Sequence, residues 1–108
     1  CNMLDRQNYP LEIARKVLRP ETIFEVRSGI FSSLGYSILD RWALNQPEEL
    51  KKLEAKSSMD LILNLYWQQE KEANALNSDT AWLASKRGMT DTEILESMGI
   101  DMSLKIIG

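Results

Sequence analysis

Glu21 and Glu25, and Glu93 and Glu96, are the near-spaced carboxylates of this 108-residue chain, and Glu12 stands three residues before Arg15. Paired carboxylates at helical spacing can move a proton or hold a cation. Di-metal carboxylate bundles also need histidine in a Glu-x-x-His pattern, and the chain has no histidine. Glu21 and Glu25 flank an apolar stripe, but no aspartate or asparagine cluster joins them. No acidic calcium loop and no phosphate-cradling glycine loop occurs. The single cysteine, Cys1, has no neighbouring base, so it makes a poor nucleophile. It also excludes an internal disulfide framework and a cysteine-built metal site. The expectation is a protein that is not an enzyme, with no catalytic residue, no cofactor and no metal.

Nucleic-acid binding is a second chemistry to weigh. Thr90 to Ile107 resembles a helix-turn-helix locally, with a glycine between two apolar residues in Met98-Gly99-Ile100. The pattern then fails. Leu95 stands where a small residue is required, and Lys105 where a buried apolar one is required. Asp91, Glu93, Glu96 and Asp101 put negative charge where a base-reading unit offers cations and amides. Arg15, Lys16 and Arg19 cluster on the first helix, where Arg15 and Arg19 share a face that could touch phosphate; a solvated helix face is the plainer reading. Lys51, Lys52 and Lys56 cluster later, offset by Glu48, Glu49 and Glu54. The net charge of −3 adds to the case against a phosphate-binding surface.

The third feature is an absence of charge. Ser28 to Leu39 runs twelve residues without a charged side chain. On a helix, Ser28, Ser32 and Tyr36 share one face, with Gly29, Ser33 and Ser37 beside them. Ile30, Phe31, Leu34, Ile38 and Leu39 take the other. A surface helix ordinarily carries lysine and glutamate opposite its apolar stripe. Small residues there let a second helix approach closely. Gly29, Ser33, Tyr36 and Ser37 are therefore the expected partner-binding residues, with Trp42 and Trp67 as aromatic anchors.

These residues must be positioned by helices. Asn8-Tyr9-Pro10 opens the first, with Leu11, Ala14, Val17 and Leu18 on its apolar face. Arg19-Pro20 ends it and starts a second, predicted over about Glu21 to Leu44 and breaking at Gly35 if it breaks at all. Asn45-Gln46-Pro47 starts a short helix carrying Leu50 and Leu53. Ser57-Ser58-Met59-Asp60 reads as a cap, which favours two helices over one long helix from Pro47 to Leu76, and begins the most hydrophobic one, Met59 to Leu76. There Met59, Ile62, Leu63, Tyr66 and Trp67 form one stripe, with Leu61 and Leu65 off it. Apolar residues round the whole helix imply a central position, and the polar run Gln68 to Glu72 implies a second half projecting into solvent. Asn77-Ser78-Asp79 caps a helix ended by Gly88. Thr90-Asp91-Thr92-Glu93 is a capping box, and Gly99 closes the helix it starts. Leu104 to Ile107 fits a further turn or a short strand.

The expected fold is all-α, a compact single-domain bundle of five to six short helices over residues 1–108, with 1–8 a flexible N-terminal segment. No apolar run is long enough to span a membrane. Cys1 reads either as the lipidated end of a processed lipoprotein or, preferred, as a cloning remnant ahead of a start at Met3. The cytoplasm is the default compartment. The expected function is protein–protein interaction, by self-association (as a dimer) or by binding a partner helix. The alternative is a nucleic-acid-binding regulator using a degenerate helix-turn-helix at 90–107.

Overall fold

The computed structural model describes residues 11–104. Cys1, the segment 1–8, Pro10 and the Lys105 to Ile107 part of the expected recognition helix lie outside them. The described chain is all-helical. Its seven helices are α1 (Ala14–Val17), α2 (Pro20–Ser28), α3 (Ser33–Asn45), α4 (Pro47–Lys56), α5 (Ser58–Leu76), α6 (Asp79–Lys86) and α7 (Asp91–Ser97). None is long and apolar enough to cross a membrane.

Seven helices replace the expected five to six because the long second helix is two. The break falls at Gly29 to Ser32, not at Gly35. Gly35 lies inside α3 and is buried, and a Cβ there would run into Gln69 Oε1 and the Phe31 ring. Its helix cost is the condition for α3 to lie close on α5. The same Gln69 Oε1 accepts from the Ser32 backbone N–H at 3.0 Å. That bond satisfies an orphan donor at the start of α3, where Ser32 makes no side-chain cap of its own.

The starts of α1 and α2 are capped from a distance in the same way. Asp40 on α3 accepts from Leu11 N at 3.1 Å and Ala14 N at 2.9 Å. Glu54 on α4 accepts from Arg19 N at 2.8 Å. Leu11 takes φ +64°, uncommon for a residue with a side chain; its complete burial and the Asp40 bond hold it there. Later starts are local. Ser57 Oγ accepts from Met59 N and Asp60 N, and Ser78 Oγ from Ala81 N. Both halves of the Thr90–Glu93 capping box form. Past α7, Gly99 at φ +77° lets Ile100 N reach Leu95 O and Gly99 N reach Glu96 O, a complete Schellman stop.

The core joins α1 to α5. Leu11, Ala14, Leu18, Ile23, Val26, Phe31, Ile38, Leu39, Trp42, Ala43, Leu50, Leu53, Leu61, Leu65 and Leu104 pack as one cluster. α7 packs on α5 and α6, burying Ile94, Leu95 and Ala81.

Candidate functional site

α5 is the element that organises the surface. Its inward side is Leu61, Leu65, Gln68, Gln69, Glu72 and Ala75, all buried. This reverses two expectations. Of the expected stripe, Met59, Leu63 and Trp67 face outward while Ile62 and Tyr66 pack against the core, and Leu61 and Leu65, off that stripe, enter it. The polar second half does not project: its glutamines and Glu72 are buried because they bond distant main chain and an arginine. Residues 59, 63 and 67 recur every four positions, so they line up over about 12 Å of one helix face. Met59 is 61% exposed, Leu63 46% and Trp67 65%. Tyr66, partly buried against the core, meets Trp67 edge-on, with ring centroids 5.4 Å apart at 70°. That contact props the indole at the surface.

Across from α5, Phe24 on α2 is 70% exposed. Between the two helices runs an open cleft of about 300 Å³ lined by Phe24, Glu25, Ser28, Gly29, Ser58, Met59 and Ile62. Its lining combines the large apolar Phe24, Met59 and Ile62 with the small Ser28, Gly29 and Ser58. On the other side of Phe24 lies a second, wider cleft of about 530 Å³, formed by Arg15, Lys16, Pro20, Ile23, Phe24 and Arg27. Arg15 also bonds Glu12 at 3.1 Å. Phe24 thus forms the ridge between an apolar cleft and a basic one.

No family model, curated protein or solved structure matches this chain. A functional reading has to come from the chemistry of these surfaces.

The residues expected to bind a partner do not form one face. Gly29 lines the apolar cleft and Trp67 ends the α5 stripe. Ser33 and Ser37 are exposed on α3, and Tyr36 is half-buried against the core. The smooth face imagined across 28–39 is interrupted, because α2 and α3 are separate helices. Trp42 is corrected from anchor to core. It is 2% exposed, and its Nε1 donates to Met102 O at 3.3 Å. Phe24, Met59 and Leu63 were missed. Their signal was present as apolar residues, but burial cannot be read from apolarity alone.

The remaining polar centre is structural. Glu72 is fully buried; its Oε2 accepts from Arg41 Nη2 at 2.6 Å and Gln68 Nε2 at 2.7 Å. Arg41 Nη2 also donates to Met102 O, Gln68 Nε2 to Asp101 O, and Gln46 takes both the N–H and the C=O of Leu104. Side chains of α3 and α5 together with Gln46 thereby clamp the segment 101–104. That segment is not helical, so the described part of the expected recognition helix is an irregular strap with a bend at Ser103. Of the carboxylate sets, Glu93 is engaged in the capping box, while Glu25 lines the apolar cleft. Among the described residues no group of three or more histidine, cysteine, aspartate or glutamate side chains could hold a metal ion.

A second exposed pair, Trp82 and Leu83, stands on α6. It is smaller, and the Lys86 ammonium sits 5.1 Å from the Trp82 ring centroid, covering it with a charge.

Proposed function

We propose that this protein is a helical interaction module that binds an amphipathic helix of another protein on the face made by α2 and α5. The observation that carries this reading is the outward stripe Met59–Leu63–Trp67, continued through the small-residue cleft to Phe24. Large apolar groups scattered singly on a surface need no explanation, whereas a connected row of them with an aromatic at each end is the pattern of a docking site. A helix lying in the groove would bury its own i, i+3, i+4 and i+7 residues there. Gly29 and Trp67 belong to this face; Ser33, Ser37 and Tyr36 lie on α3 outside its lining.

The test uses the full chain and a displayed library of random helical peptides. Peptides selected on the wild type are expected to lose at least about tenfold in affinity on Leu63→Glu, since a charge would be desolvated at the centre of the face. Leu63 is half-exposed, so the variant keeps the fold, checked by circular dichroism. Failure to enrich any peptide, or equal binding to both proteins, removes the reading. A concentration-dependent dimer in sedimentation velocity, lost in Leu63→Glu, would make the docking helix that of a second copy.

A further inference from the structure

The basic cleft beyond Phe24 identifies the chemistry of the partner. Building on the docking reading above, we infer that the bound helix belongs to a partner protein and is acidic, with aspartate or glutamate side chains seated over Lys16 and Arg27 while its apolar residues cover Phe24 and Met59. The chain carries sixteen acidic and thirteen basic residues. Against that composition, a cleft lined by Lys16, Arg27 and the Glu12-paired Arg15 is locally basic. The cleft adjoins the apolar one through the shared Phe24. A single ligand long enough to cross that ridge meets a mostly apolar slot, with one carboxylate, Glu25, in its lining, on one side and a cationic cleft on the other, so its acidic residues belong on the cationic side. Guanidinium groups suit carboxylates, which they can engage with two parallel N–H bonds.

The floor of the basic cleft selects among anionic ligands. Pro20, Ile23 and Phe24 are apolar, and the stems of Arg15, Lys16 and Arg27 extend that surface. A nucleic acid would want a longer track of cations with several stacking aromatics, on a protein without an overall negative charge. An anionic membrane recruits basic clusters of four or more side chains; here there are three. A short amphipathic peptide fits both the size and the pairing of apolar and charged contacts.

Selection from the same random library reads this directly. Enriched peptides are expected to carry aspartate or glutamate beside leucine, phenylalanine or similar residues. Lys16→Glu combined with Arg27→Glu is expected to weaken their binding at least about tenfold. Wild-type binding should also fall as sodium chloride rises from about 50 to about 500 mM. Both positions are exposed, so the fold is retained; the paired Gln variants, which remove charge without reversing it, should fall in between. Enriched peptides free of acidic residues, bound equally by wild type and the double Glu variant yet lost on Leu63→Glu, would overturn this inference and leave the docking reading standing. No enrichment at all would overturn both. Binding of the wild type to vesicles with about 30% phosphatidylserine, abolished by the double Glu variant, would overturn it in favour of a membrane surface.

Discussion

Glu72→Ala is expected to lower the free energy of unfolding by about 3–5 kcal/mol, the range for removing one partner of a buried ion pair. Glu72 is completely buried, whereas the Arg41 side chain keeps 24% of its exposure, which puts the expected value toward the lower end. Alanine would leave the guanidinium without its carboxylate, and Arg41 Nε already meets no acceptor among the described residues. The loss spreads beyond the pair. Gln68 gives up its bond to Oε2; Gln68 also holds Asp101 O, and Arg41 shares Met102 O with Trp42 Nε1. Urea denaturation followed by far-ultraviolet circular dichroism measures the first effect. Hydrogen exchange at the Leu104 amide, held by Gln46 Oε1, measures the loosening of the strap. Glu72→Gln, which keeps an acceptor of the same shape, should cost less than alanine.

Trp42→Ala is expected to cost a similar amount, about 3–5 kcal/mol, through lost burial and the cavity left between α3 and its neighbours. The indole is among the largest fully buried side chains, and its N–H is spent on Met102 O. Phenylalanine at the same position should cost less, since it keeps most of the ring volume but forfeits the donor. Trp67→Ala is the contrasting substitution. Its indole is mostly in solvent, so stability should change by no more than about 0.5 kcal/mol. Chemical denaturation of the three variants separates a core tryptophan from a surface one, a distinction their shared chemistry does not make.

Helix boundaries written in neighbouring residues were legible. Pro20 and Pro47 start helices, Ser57 and Ser78 cap them, and Thr90–Glu93 closes a capping box. The starts of α1 and α3 were harder because their orphan N–H groups are met by Asp40 and Gln69, which lie 26 to 37 residues away in sequence. No local window contains both partners. The Gly29–Ser32 break follows from the same cause, since Gln69 both caps Ser32 and presses on Gly35. The inward face of α5 was not legible in its apolar pattern. Periodicity finds its apolar stripe, but Leu61 and Leu65 go inward with Gln68, Gln69 and Glu72, because those polar groups reach main chain or a cation in other elements. The candidate face inherits that difficulty. Gly29 and Trp67 were found as small and aromatic residues, whereas Phe24, Met59 and Leu63 looked like core.

The central claim is that the α2/α5 face, and not another, receives the partner helix. Proton–nitrogen correlation spectra of the full chain, titrated with a selected acidic peptide, test it most directly. The three indole N–H signals serve as local reporters: Trp67 on the face, Trp42 in the core and Trp82 on α6. The expected result is a shift of the Trp67 indole together with the Phe24, Ser28, Gly29, Met59 and Leu63 amides, while the Trp42 and Trp82 indoles stay in place. A shift of the Trp82 indole with Trp67 unmoved would contradict the account.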